Sequence, residues 1–437
     1  MEALIAALAV LGMLIVTLGA GLWVFLSLAL VAGLSLLFVQ GMPVDRISTI
    51  AAGIVIRYAS SWELASIPMF IWMGEIIFRT DISDRLFKGL SPFVERIPGG
   101  LLHTNVLGCT LFAAISGSSP ATTATVGRIT TVELFRRGYD KSLSVGSIAG
   151  AGSLGLLIPP SILMIVYGIL AEQSITRLFA AGILPGLLIA ALYVCYVMIR
   201  ALLDPSVAPS DLPKRRIRDY LIALANLLPI GILMGTVLGS IYSGVATPSE
   251  AAAMGVLAAT CITIATGQFS LSMMRDTLLG TARTSTMVCS ILIFAAFLST
   301  AMGYLHIPAD VAAAIGAMNL SPYALLALLT VFYLGLGIIL DGNSIVVMSL
   351  PIALPLVLQA GFDPIWFGIY LVLMVEMAQV TPPVGFNLFV LQGVTGWSIG
   401  QVARAATPFF LLMVLGLLIV TIFPQIVLFL PDVIYNR

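Results

Sequence analysis

Charge is what this sequence has least of. Only 9% of its 437 residues are Asp, Glu, Lys or Arg, and the 20 basic and 20 acidic side chains cancel. A soluble domain carries about a quarter charged residues, so this chain is expected to lie in lipid. Its zero balance predicts no nucleic-acid partner. Histidine is scarcer still: His103 and His306 are far apart in sequence and too few for an imidazole metal site. They read as satisfied interfacial histidines. Cys109, Cys195, Cys261 and Cys289 each sit singly in an apolar run, with no CxxC pair. Neither a disulfide framework nor a thiolate metal site is supported. No nucleophile–base pair has catalytic spacing, which argues against a membrane-embedded enzyme, and no organic cofactor is expected. A cleavable signal is not expected either, because the apolar stretch from Ala3 to Val39 is too long and lacks a basic leading segment.

What is present is hydrophobicity, 60% of all residues, arranged in two copies. An offset of 223 residues lays Gly138-Tyr139-Asp140 on Gly361-Phe362-Asp363, Pro159-Pro160 on Pro382-Pro383, and Pro185 on Pro408, without a gap. The same offset lays S-G-S-S-P (Ser116 to Pro120) on I-L-D-G-N (Ile339 to Asn343). Several apolar runs flanking these stretches are shorter than the roughly 20 residues a spanning helix needs. A break exposed to lipid would leave unpaired backbone groups at several kcal/mol each, so the breaks must be enclosed in protein or line a wet cavity. Paired breaks of this kind predict re-entrant hairpins and broken helices meeting near the midplane, an arrangement that suits a carrier better than a channel.

Charge placement predicts that the copies point opposite ways. Residues 1–220 hold 16 of the 20 basic side chains, and the connector Arg136, Arg137, Lys141 has a bare counterpart at Gln359 to Pro364. Basic connectors stay cytoplasmic, so homologous connectors of unlike charge belong on opposite faces. The expected organisation is therefore an all-α integral membrane protein of two inverted repeats, 1–203 and 220–437. A cytoplasmic linker, 204–219, rich in Pro, Lys and Arg, joins them. Amphipathic pieces at Asp81 to Arg96 and Phe269 to Arg283 read as surface arms or ordinary loops.

The chemistry is concentrated at the breaks. Ala114 to Gly127 carries six hydroxyl side chains and two glycines in an apolar setting. Gly117 permits a tight turn, and Pro120 suits the first turn of a half-helix. The N-terminus of that half-helix offers N–H groups to a carboxylate, while the preceding helix ends in carbonyls suited, with nearby hydroxyls, to sodium. In the second copy Asp341, an ionisable residue between apolar runs, marks a functional position, and it also suits a helix cap. Pro159-Pro160 and Pro382-Pro383 are expected to unwind their helices and release carbonyls near Leu157 and Val380. Such an oxygen-only environment selects sodium or a proton over a transition metal. The expected sodium ligands are Ser116, Gly117, Ser119, Gly152, Ser153, Gly337, Asp341, Gly342, Thr381 and Pro382. Expected substrate contacts are Ser118, Ser119, Pro120, Thr122, Asn343, Ser344 and Asn387. Glu376 could bind a cation, carry a proton or pair with Gln379, and the sequence does not rank these.

At S-G-S-S-P-A-T (Ser116 to Thr122), I-P-P-S (Ile158 to Ser161), A-T-P-S-E-A-A-A (Ala246 to Ala253) and T-P-P-V-G (Thr381 to Gly385) the chain resembles the large membrane subunit of tripartite ATP-independent periplasmic (TRAP) transporters. S-I-P-M-F-x-x-M-G-E (Ser66 to Glu75) fits the same pattern. The resemblance implies an elevator-type, sodium-coupled importer of organic acids in the bacterial inner membrane. It also implies a small membrane subunit and a soluble periplasmic binding protein as partners. Many members carry an acid where this chain has Thr122, so that acid's role does not transfer. The alternative is a stand-alone divalent-anion symporter or antiporter of similar architecture.

Overall fold

The computed structural model describes residues 2–209, 215–317, 320–337, 340–382 and 385–435. Ile339, Pro383 and linker residues 210–214 of the sequence reading lie outside these. Among the described residues every regular element is helical. Among the described residues six helices are long and apolar enough to cross a membrane: Ile175–Leu203, Ile217–Tyr242, Pro248–Ala265, Leu271–Tyr304, Gly342–Gln359 and Ile399–Ile422.

The self-match reappears in the helix boundaries. The first hairpin pairs Leu102–Ser116 with Ser119–Arg136, and the second pairs Pro322–Leu336 with Gly342–Gln359. Ser119 and Gly342, and likewise Arg136 and Gln359, are related by the same offset of 223. Each hairpin leads through a glycine in the left-handed region, Gly138 at φ +80° and Gly361 at φ +86°, which a side chain would strain. An aspartate then caps the next helix. Asp140 accepts the Leu143 N–H at 2.6 Å, and Asp363 accepts those of Ile365 and Trp366 at 2.8 and 3.0 Å. Those helices are the broken pair: Lys141–Gly152 continued by Ile162–Leu170, and Pro364–Val380 continued by Phe386–Thr395.

Contacts fix their directions. Phe135, at the base of the first hairpin, stacks with Trp397, just past the end of the second broken helix (centroids 6.4 Å apart). At the opposite end the Tyr167 hydroxyl, late in the first broken helix, donates to the carbonyl of Pro364, where the second begins (2.6 Å). The two broken helices therefore run antiparallel, as inverted copies must. The Phe135 end also carries Glu95, Arg137 and Arg215, with Arg215 donating to the Glu95 carboxylate at 2.6 and 3.0 Å. On the Tyr167 end lie the ion pairs Arg57–Glu172 and Arg177–Asp432.

Packing is close because small residues let backbones approach, the usual means of helix association in lipid. A Cβ on Gly146 would fall 2.1 Å from the Ala405 carbonyl oxygen, and one on Gly150 would fall 2.5 Å from Phe409. Helix Ile399–Ile422 thus seats directly on the first broken helix. Across from this block, Leu271–Tyr304 packs with Ser66–Phe78, which also meets Pro248–Ala265.

Three local features add to the sequence reading. Phe269 to Arg283 is no separate arm: from Leu271 it is the first part of one 34-residue helix, because no Gly-Pro break interrupts it. Asp81 to Arg96 forms helix Ile82–Val94, whose apolar residues (Ile82, Leu86, Phe87, Leu90) are buried between two helices: Phe87 lies on Gly108 of Leu102–Ser116, and Gly89 meets Leu227 of Ile217–Tyr242. Asp81 ties its start to the turn before Leu271, exchanging hydrogen bonds with the Gln268 side chain. Burial raises the Asp81 carboxyl pKa, but the Gln268 and Arg85 hydrogen bonds outweigh it and hold the group below its ordinary value. Finally, the first broken helix stops at Gly152, well before its prolines, and continues as a 3₁₀ turn over Ser153–Leu156. The Leu157 carbonyl faces helix Ile175–Leu203, 2.5 Å from where a Gly182 Cβ would stand.

Candidate functional site at the two hairpin tips

The first hairpin turns on small residues. Gly117 sits at φ +57°, a conformation that favours glycine, and Ser118 is extended before the helix starting at Ser119, with Pro120 in its first turn. In the second hairpin Asp341 precedes the helix starting at Gly342 and accepts the Asn343 N–H at 3.2 Å and the Ser344 hydroxyl. Asp341 is thus a helix cap, as the sequence allowed, and its side chain remains exposed.

Both tips open on one cavity of about 390 Å³. Of the expected residues, Gly117, Ser118, Pro120, Gly337, Asp341, Gly342 and Asn343 line it. Two half-helix N-termini, from opposite repeats, therefore face the same space. The long helix Leu271–Tyr304 supplies the facing wall through Thr284, Met287 and Val288. Gln379 and Phe386, on either side of the second break, also line it. Sequence reasoning did not select these five residues for the site. Gln379 and Phe386 flank a motif that it did single out, whereas nothing local marks the other three.

The remaining expected residues lie behind the tips. Ser116 and Thr122 share a hydrogen bond of 2.7 Å, and the Thr122 hydroxyl also reaches the Ser118 carbonyl (2.9 Å), so both brace the turn. Ser119, fully buried, donates to the Gly152 carbonyl at 3.1 Å and accepts from Asn387 at 2.7 Å. Ser153 and Thr381 bond back to Gly150 and Met377, at 2.6 Å each. Pro382 is exposed, and Ser344 is bonded to Asp341.

Glu376 is 1% exposed; one carboxylate oxygen accepts the Leu156 N–H at 2.7 Å, and the other has no partner. Gln379 is not its partner: its own side-chain oxygen is unpaired and it lines the cavity. The side-chain oxygens of Asn343, Asn387 and Thr123 are likewise buried and unpaired. Buried acceptors without donors are costly, and hard oxygens such as these are the donor type a small hard cation takes. No space is left for side chains beside them. A Cβ on Gly152 would fall 2.1 Å from Thr123 Oγ1, and one on Gly155 would fall 2.7 Å from Ser119 Cα.

Residues 11–426 match the family described as "Tripartite ATP-independent periplasmic transporter, DctM component". The chain belongs to this family. It is similar to the C4-dicarboxylate TRAP transporter large permease protein DctM of Pseudomonas aeruginosa, 35% identical over 85% of this chain and 86% of that one. It is also similar to the ectoine/5-hydroxyectoine large permease protein UehC of Ruegeria pomeroyi, 33% identical over 86% and 87%. The isethionate permease protein DctMQ of Oleidesulfovibrio alaskensis is 32% identical over 94% of this chain and 64% of its own length. Among solved structures, the YdaH transporter of Alcanivorax borkumensis shares the fold, with TM-score 0.63 at 16% identity over 90% of this chain and 91% of that one. As a TRAP large permease, the chain is a multi-pass membrane transporter component.

Proposed function

We propose that this permease imports a small organic acid across the bacterial inner membrane, driven by sodium, in an elevator motion. A periplasmic binding protein delivers the substrate, and a small membrane subunit braces the scaffold. The observation that carries the reading is the shared cavity between the tips at Gly117–Pro120 and Asp341–Asn343. Two half-helix N-termini give it partial positive charge, which favours a carboxylate or sulfonate. Ser118, Pro120 and Asn343 are the substrate contacts in this reading. Sodium is held at each tip, by Ser119 and the Gly152 carbonyl behind the first and by Gly337, Asp341 and the Thr381 region at the second. Its charge offsets the anion's, so the loaded block crosses nearly neutral. The end bearing Arg137 and Arg215 is cytoplasmic by the positive-inside rule. In this reading the repeats divide at the linker 204–219, and the hairpins with their broken helices move against a scaffold that includes Leu271–Tyr304.

The named substrates of the relatives include dicarboxylates, a sulfonate and ectoines, at nearly equal identity to this chain. Overall identity therefore does not choose among them, and the reading stops at a small acidic or zwitterionic solute. The test is uptake into proteoliposomes containing the permease with its small subunit, supplied with loaded binding protein. Accumulation is expected only under an inward sodium gradient. Equal accumulation without sodium, or without the binding protein, would refute the coupling.

A further inference from the structure

The second repeat reaches across the molecule to hold the first hairpin's half of the site. Two buried polar bonds do this. The Glu376 carboxylate accepts the Leu156 N–H at 2.7 Å, and the Asn387 amide donates to the Ser119 hydroxyl at 2.7 Å. Their partners are neighbours, because Gly155, adjacent to Leu156, packs its backbone against Ser119 so tightly that a Cβ there would fall 2.7 Å from Ser119 Cα. Glu376 and Asn387 stand on the two arms of one broken helix, either side of its break. All four residues are buried, Ser119 and Asn387 completely. The second hairpin tip is built otherwise. Asp341 caps its own helix, and Gly337 meets Ala378 of the same repeat at 2.1 Å from its missing Cβ.

We infer that Glu376 and Asn387 are positioning residues, which touch no substrate and fix the Ser153–Leu156 turn and the Ser119 hydroxyl in the arrangement that binds the cation behind the first tip. Glu376 acts through the acceptor it offers to the Leu156 N–H. The Leu156 N–H closes the 3₁₀ turn, and its buried bond to a carboxylate from the other repeat is of the charge-assisted kind that holds more strongly than a neutral one. With that bond lost, the turn relaxes toward other partners and Ser119 loses its backing. Asn387 acts directly on Ser119, setting the direction in which its hydroxyl proton points, toward the Gly152 carbonyl. The two residues therefore couple the halves of the site, so the first tip is competent only while the second broken helix is in place.

The inference rests on the sodium-coupled reading, and the experiment separates the two. Purified permease with its small subunit is melted across a sodium titration at constant ionic strength, with choline as the replacement ion, and the sodium concentration for half-maximal stabilisation is read for each variant. E376Q, which keeps an oxygen for the Leu156 N–H, is expected within about threefold of the natural protein. E376A and N387A are expected to need about tenfold more sodium, the effect of roughly one hydrogen bond's loss. In proteoliposomes N387A should show a raised sodium requirement with kcat largely restored at saturating sodium. If E376A does not fold, N387A, S119A and their double variant form a cycle, and non-additivity in the sodium midpoint is expected. Variants that melt earlier but share the natural sodium midpoint would overturn the inference, leaving the bonds as packing alone. E376Q as defective as E376A would overturn it too, because the charge would then be the ligand. No sodium stabilisation of the natural protein would instead overturn the reading on which the inference rests.

Discussion

At the scale of single residues, the site is defined by where side chains are missing as much as by where they are present. Gly152 has no room for a methyl group, since its Cβ would fall 2.1 Å from Thr123 Oγ1. Gly152→Ala is expected to cost about 1–3 kcal/mol through overpacking, read as a lower melting temperature, with partial recovery in Gly152→Ala/Thr123→Ala. Asp341 both caps a helix and carries charge beside the cavity, and two substitutions separate these roles. Asp341→Asn keeps the cap and should melt near the natural protein while losing sodium-dependent uptake. Asp341→Ala loses both, with about 0.5–2 kcal/mol of additional destabilisation. Uptake by Asp341→Asn equal to that of the natural protein would remove the second cation site from the account.

Helices and hairpins show why the pattern was readable in part. Gly138 and Gly361, Asp140 and Asp363, and Pro185 and Pro408 each play the same local part in both copies, so a single offset predicted both hairpins and both broken helices. What escaped sequence reasoning depends on tertiary neighbours. The stop at Gly152 rather than at Pro159 reflects the approach of Thr123 and Ser119, which no local propensity encodes. Asn387 was expected among the substrate contacts; its amide is bonded to Ser119, 268 residues away, which no local pattern marks. The polar start of helix Leu271–Tyr304 read as an arm because its burying partners lie elsewhere: Thr277, for one, accepts a hydrogen bond from the Trp72 indole. At the hairpin base Glu95, 5% exposed, joins Arg215 of the linker to Arg137 of the first hairpin. Glu95→Gln should cost about 1.5–3 kcal/mol, the range for charge-assisted hydrogen bonds, and should speed hydrogen exchange in Ser119–Arg136 before other helices. Uniform exchange across the molecule would show that the cluster does not anchor the hairpin.

For the whole molecule, antiparallel broken helices and paired tips make one cavity from two copies of a unit that could not enclose it alone. The charge asymmetry between copies follows from the same inversion, since corresponding connectors reach opposite ends: Phe135 beside Trp397 at one, Tyr167 beside Pro364 at the other. Transport in the proposed cycle depends on both tips closing on the same solute. Cysteines placed at Ser118 and Asn343, in a background lacking the four natural cysteines, test this directly with a short bifunctional thiol reagent. The account predicts that the two positions cross-link across the cavity, that cross-linking stops uptake, and that sodium with substrate slows the reaction. Failure to cross-link in folded protein, or full uptake by the cross-linked protein, would contradict it.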